Sequence, residues 1–186
     1  MKKVLVFLDI DGVICTYNSL SRIWESYMGK KWRDVADSDI TPADYLKELK
    51  LSHPHVDMFD WPFDRDCCDN IHILQRSFPR VKIEYVISST WRKYFELEEL
   101  KQIFIYKGLL LNEMRGITDN LGARGDEILK WLKDNNEEST PYIVVDDEVA
   151  DIKGIVDSDR MVTTRFKTGF DNDKLKDAIN KIEKQL

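Results

Sequence analysis

Short, unbroken apolar runs limit what this chain can fold into more than any other feature. Residues 3–8 (Lys-Val-Leu-Val-Phe-Leu), 81–88 (Val-Lys-Ile-Glu-Tyr-Val-Ile-Ser) and 142–146 (Tyr-Ile-Val-Val-Asp) are rich in β formers. They have the length of strands and the continuous apolar character of strands buried on both faces. Weaker strands are expected at 109–111 and 160–163. Between the runs, residues 95–107 carry apolar positions at helical spacing. Residues 126–134 place Ile128, Leu129, Trp131 and Leu132 on one side, and a helix is expected at 64–77. Asp171 is a natural N-cap for a last helix over 172–185. Strands alternating with helices predict an α/β fold with a mostly parallel sheet.

Residues 16–62 break this rhythm. They hold Trp24, Tyr27, Trp32, Tyr45, Phe59 and Trp61 among many charged residues. Thr41-Pro42 pairs an N-cap with a proline at the first helical position and predicts a short helix through about residue 50. The stretch reads as a small, mainly helical, cap-like insert in a single domain spanning residues 1–186.

Of the 186 residues, 42% are hydrophobic, enough for a core. The formal net charge of −6 argues against a protein that coats nucleic acid by bulk electrostatics and leaves room for a local cationic site. Three cysteines, two of them adjacent (Cys67 and Cys68), make no disulfide framework and suit a reducing compartment. The run at residues 4–8 is far too short to span a bilayer and reads as no signal peptide, so a cytoplasmic location and no membrane association are expected. No obligate protein partner is evident.

The chemistry concentrates where strands end. Asp9-Ile10-Asp11-Gly12 follows the first strand, and ligand sites of parallel sheets form outside the carboxyl ends of strands. Two carboxylates this close repel each other and would repel a phosphate; a hard divalent cation such as Mg²⁺ removes the conflict. One carboxylate could then attack phosphorus while the other moves a proton. Ser88-Ser89-Thr90 follows the second strand and precedes a helical segment, an arrangement that can cradle an oxyanion. Arg124 opens the segment before 126–134 and could hold a phosphoryl group. Asp146-Asp147, with Asp151 beyond, follows the third strand and could complete a metal shell. Each piece alone also fits an ordinary turn, cap or surface arginine; their order and shared placement at strand ends carry the argument.

Trp91-Arg92, directly after the serines, could contact a base or sugar-phosphate, although core packing also explains Trp91. Lys30-Lys31-Trp32-Arg33 could guide an anionic substrate or simply form a solvated face. His53, His55 and His72 form no ligand-like cluster, and Cys15 and Cys68 read as small buried side chains.

Together these motifs resemble the haloacid dehalogenase (HAD) superfamily: Asp9-Ile10-Asp11-Gly12-Val13, Ser88, Arg124, then Asp146-Asp147 with Asp151. More narrowly, Ser88-Ser89-Thr90-Trp91-Arg92, Gly108-Leu109, Gly116-Ile117-Thr118, the segment Arg124 to Leu132 and Val145-Asp146-Asp147 resemble the HAD domains of Swiss Army knife RNA-repair proteins. The resemblance covers about the first fifteen residues and the stretch from about 64 to 170, not the insert. It implies a three-layer Rossmann-like fold and Mg²⁺-dependent phosphomonoester hydrolysis through an aspartyl-phosphate. Asp9 would be the nucleophile and a metal ligand. Asp11 would protonate the leaving group, activate water and offer its backbone carbonyl to the metal. Ser88, with Ser89, would bind phosphoryl oxygens, and Arg124 would stand where most relatives have lysine. Asp147, or secondarily Asp146, would be the late metal ligand.

The expected substrate is a phosphorylated small molecule, nucleotide or nucleic-acid end carrying a 3′- or 5′-phosphate. A sugar-phosphate phosphatase, phosphotransferase or mutase would use the same motifs. Dehalogenation fits less well, because Asp11 supplies the proton transfer that phosphoryl chemistry needs. A non-catalytic phospho-acceptor or binding protein is a further alternative. Receiver domains, however, place the accepting acid after a later strand and the adjacent acidic pair after the first.

Overall fold

A computed structural model of the chain describes residues 2–20 and 61–186. Five strands form one sheet in the order β3-β2-β1-β4-β5. They are β1 (Lys2–Leu8), β2 (Val81–Ile87), β3 (Met114–Ile117), β4 (Tyr142–Asp146) and β5 (Met161–Thr163). Every pairing is parallel, with Leu8 opposite Ile87 on one side and Val145 on the other. The apolar runs are apolar because β1, β2 and β4 are covered on both faces. Val4, Val6 and Leu8 join one core with Ile83, Ile87, Ile143 and Val145. Leu5 and Phe7 join a second core with Val86 and Val144.

Among the described residues, the outer layers are built from α1 (Arg65–Ser77), α2 (Leu97–Tyr106), α3 (Arg124–Asp134) and α4 (Asn172–Glu183). Helix α1 buries Ile71 and Leu74, α2 buries Leu100 and Phe104, and α4 buries Leu175 and Ile182, all in the first core. Helix α3 buries Ile128, Trp131 and Leu132 in the second. There Phe7 meets Trp131 and Tyr142 edge-on, with ring centroids 5.6 and 5.7 Å apart. This is the α/β fold with a parallel sheet that the strand pattern predicts, in the three layers the family resemblance implies. Asp64 caps α1 by accepting from the Asp66 and Cys67 N–H groups, and Asp171 caps α4 through Asp173 and Lys174, both at 3.1 Å. In α2, Glu99 reaches back to the Glu96 N–H at 2.8 Å.

Two expectations need correction. Residues 109–111 are not a strand; the third strand is Met114–Ile117. Leu109 is buried where the chain leaves α2, while β3 lies at the sheet edge with only Met114 fully buried, so its sequence carries little apolar signal. Helix α3 starts at Arg124 rather than 126. The helix expected after Thr41-Pro42, the Lys30–Arg33 cluster, His53, His55 and most of the 16–62 insert lie outside the described residues. His72 accepts the Leu110 N–H at 3.2 Å, and all three cysteines are buried and unpaired. Among the described residues, no helix is long and apolar enough to cross a membrane.

Candidate active site

The chain runs β1, β2, β3 outward in one direction and then crosses to β4 and β5 on the other side of β1. That reversal opens a crevice at the carboxyl ends of β1 and β4. Asp9 sits there because its N–H donates to Val145 O at 3.0 Å, extending the β1–β4 ladder by one residue. Asp146 is the last residue of β4, and Asp147 follows it. Carboxylate oxygens of Asp9, Asp146 and Asp147 all lie within 4.8 Å of one another.

The chain then turns sharply. Gly12 has φ +67°, and a Cβ built there would lie 2.1 Å from Asp147 Cγ. Only glycine allows both the left-handed backbone and the close approach of Asp147. Thr164 locks the two segments together: its hydroxyl donates to Gly12 O at 2.7 Å and its N–H to Asp146 O at 2.9 Å.

Each acid has its own surroundings. One Asp9 oxygen accepts the Ile10 N–H at 2.8 Å, and the other accepts from Arg124 Nη1 at 2.7 Å. Arg124 Nη1 also donates to Asp146 at 2.5 Å, and Asp146 accepts the Glu148 N–H at 2.9 Å. Burial works against the Arg124 charge, but Asp9 and Asp146 outweigh it and hold the guanidinium above its usual pKa. Burial, then the Asp9 charge, raise Asp146 well above the ordinary carboxyl range, against the pull of Arg124. The same two causes push Asp147 up to about 7. Asp11 is also pushed up to about 7, by burial first and Asp9 second, while a hydrogen bond from Trp91 opposes the rise.

Arg124 reaches the acids because α3 begins beside them. The N-cap position is Ala123, which offers no side-chain acceptor. Asp151 takes over: one oxygen accepts the Arg124 N–H at 3.1 Å, and its carbonyl accepts the Gly125 N–H at 3.1 Å. A side chain at position 125 would meet Ile155 Cβ at 2.8 Å, so glycine permits this approach.

Ser88 and Ser89 part company. Ser88 extends from β2, its N–H donating to Leu8 O at 2.9 Å, and its buried hydroxyl has no hydrogen-bond partner among the described residues. Thr118, at the end of β3, holds a second buried hydroxyl without one. Ser89 caps the 3₁₀ turn Thr90–Lys93 by accepting the Trp91 N–H at 3.4 Å. Trp91 and Arg92, considered as substrate contacts, have protein partners of their own. Trp91 is wholly buried and its indole donates to Asp11. Arg92 forms a buried ion pair with Glu127 and donates to the carbonyls of Ser89 and Asp119. Glu127 in turn accepts the N–H groups of Leu121 and Gly122. Arg92 and Glu127 thus join the turn after β2 to the start of α3.

The structure thus brings Asp9, Asp146, Asp147 and Arg124 into one cluster, with Asp11 held beside it by Trp91. Asp11's carboxylate is not in the close triad. Sequence reasoning gave no role to Thr118, Thr164 or Glu127; single polar residues past strand ends have no spacing that sets them apart. Asp151 was marked by its spacing from Asp147, and its capping of α3 was not foreseeable.

Three carboxylates converging around one point, all hard oxygen donors and largely buried, fit a divalent cation such as Mg²⁺. The nearby unpartnered hydroxyl of Ser88 suits an oxyanion.

A family model for the HAD domain in Swiss Army Knife RNA repair proteins matches residues 5–175. No curated protein sequence matches the chain. Among solved structures, a haloacid dehalogenase-like hydrolase from Streptococcus pneumoniae is similar at 11% identity and TM-score 0.46, covering 97% of this chain and 90% of that one. A candidate β-phosphoglucomutase from Thermotoga maritima aligns at 16% identity and TM-score 0.43, over 88% and 85% of the two chains. A HAD family hydrolase from Deinococcus radiodurans with bound phosphate and sodium aligns at 15% identity and TM-score 0.39, over 80% and 73%. The family match over nearly the whole length carries the assignment. The chain belongs to the family of HAD domains found in Swiss Army Knife RNA repair proteins.

Proposed function

We propose that this HAD-family hydrolase of the phosphatase type is a Mg²⁺-dependent phosphomonoesterase that works through an aspartyl-phosphate on Asp9, with a nucleotide or a nucleic-acid terminal phosphate as substrate. The observation that carries the reading is the convergence of Asp9, Asp146 and Asp147 on one point at the sheet's carboxyl edge, with Arg124 against them.

Asp9, Asp146 and Asp147 would hold the cation, with the Asp11 backbone carbonyl as a further oxygen donor. Bound there, Mg²⁺ neutralises the crowded carboxylates and offsets the charge of the arriving phosphate. The chain's own residues do the rest. Asp9 is aimed by the Ile10 N–H and Arg124, and its carboxylate attacks phosphorus. Arg124 and Ser88 hold the phosphoryl oxygens as charge develops on them. Asp11, a buried carboxyl beside the cluster, can carry a proton to the leaving oxygen and then draw one from water. The nucleic-acid part of the reading is supported by the family's description as the HAD domain in Swiss Army Knife RNA repair proteins.

The test is a Mg²⁺-dependent turnover screen over nucleotides, sugar phosphates, 3′- and 5′-phosphorylated oligonucleotides and p-nitrophenyl phosphate. Asp9→Asn should lower every rate by roughly 10³-fold or more. Equal rates in wild type and variant would remove Asp9 from the mechanism.

A further inference from the structure

Trp91 has a single polar side-chain atom and directs it at a catalytic acid. The residue is fully buried, packed near Phe95 with ring centroids 5.8 Å apart and near Phe63 at 6.2 Å. From there its indole Nε1 donates to both oxygens of Asp11, 3.2 Å to Oδ1 and 3.1 Å to Oδ2. Packing alone would be served by a side chain with no donor to satisfy. The backbone around Trp91 is fixed as well. Its N–H reaches Ser89 Oγ, and its carbonyl accepts from Tyr94 at 3.0 Å and Phe95 at 3.1 Å. The turn that follows Ser88 therefore also sets where the Asp11 carboxylate can lie.

The chemistry of the pair is one-sided. An indole N–H only donates, so it can neither take a proton from Asp11 nor compete for one. The nearly equal distances share one hydrogen between two oxygens and fix the plane of the carboxylate. When Asp11 carries a proton, the N–H stays with the bare oxygen and leaves the O–H to the open side.

We propose that Trp91 is a positioning residue: its indole N–H holds the Asp11 carboxyl in the orientation from which it protonates the departing oxygen, and so decides which leaving groups the enzyme can expel. This rests on the phosphomonoesterase reading above. In that step an Asp9 oxygen bonds to phosphorus, and the bond from phosphorus to the leaving oxygen breaks. Its electron pair goes to that oxygen, which takes the Asp11 proton. An alkoxide needs that proton to leave; a nitrophenolate does not.

The experiment compares kcat/KM of wild type and Trp91→Phe on p-nitrophenyl phosphate and on the alkyl phosphate that wild type turns over best. The alkyl value should fall about 10- to 100-fold while the aryl value stays within about threefold. Equal losses on both substrates, or none on either, would overturn the proposal. If Trp91→Phe does not fold, benzothienylalanine at position 91, with sulfur in place of the N–H, is read against the same outcomes. Asp9→Asn runs alongside: full activity there sinks the aspartyl-phosphate mechanism on which this step rests, whereas an inactive Asp9→Asn with an alkyl-to-aryl ratio unmoved in Trp91→Phe sinks only the role of Trp91.

Discussion

Gly12 is the smallest residue at the site and the least replaceable. Its positive φ excludes most side chains, and the space a Cβ would fill belongs to the Asp147 carboxylate. Gly12→Ala therefore meets two obstacles. The backbone alone costs about 1–2 kcal/mol, and the methyl pushes Asp147 out of the triad. Thermal unfolding with and without MgCl₂ separates the two: Tm should fall in metal-free buffer, and the rise on adding Mg²⁺ should disappear. A variant that keeps the full Mg²⁺ response would show that Asp147 is not needed for the ion. The sequence marks Gly12 as a turn residue. It does not show that the residue pressed against it lies 135 positions later, because that proximity is created by the pairing of β1 with β4.

At the scale of elements, helix α3 is held from outside itself. Helices α1 and α4 carry their caps in their own sequence at Asp64 and Asp171, and the second was foreseeable for that reason. Helix α3 borrows its cap from Asp151 on the loop after β4. Removing that carboxylate frays the turn that presents Arg124. Asp151→Ala should destabilise the protein by about 1 kcal/mol in denaturant unfolding and raise KM as Arg124 loses its place. Asp151→Asn keeps an acceptor oxygen and should lose less on both measures. An Asp151→Ala protein with unchanged KM would mean that Arg124 is fixed by its contacts to Asp9 and Asp146 alone. The ion pair of Arg92 with Glu127 shows the same reliance on distant partners, since it ties the turn after β2 to the loop before α3.

Across the molecule, the site stores electrostatic cost that the rest of the fold must support. Asp11 and Asp147 bind protons more tightly folded than unfolded, with carboxyls moved from 3.8 to about 7. Folding therefore takes up protons between about pH 4 and pH 7, so stability falls as pH rises through that window and levels off above it. Glu84 and Glu137 act in the opposite sense. Their partners Lys82, Lys3 and Arg115 outweigh burial and lower their pKa below 4.5, so their contribution is lost only in more acidic solution. Chelator-treated protein should melt higher near pH 5 than near pH 8, and Mg²⁺ should raise Tm more at pH 8 than at pH 5. A stripped protein more stable at pH 8 would contradict the crowding of these acids.

The sequence alone determined the layered α/β plan and the order of the site's parts. A strand buried on both faces must be continuously apolar, and acids at the ends of such strands are local facts that spacing records. It missed β3, an edge strand with little burial to mark it, and it did not show which partners Ser89, Trp91 and Arg92 take. Those three follow Ser88 directly in the chain, and only their partners tell them apart: a turn N–H, the Asp11 carboxylate and Glu127. The tertiary structure chose those partners. A parallel sheet joins residues far apart in the chain, and which donor meets which acceptor depends on strand order and register, which no local pattern contains.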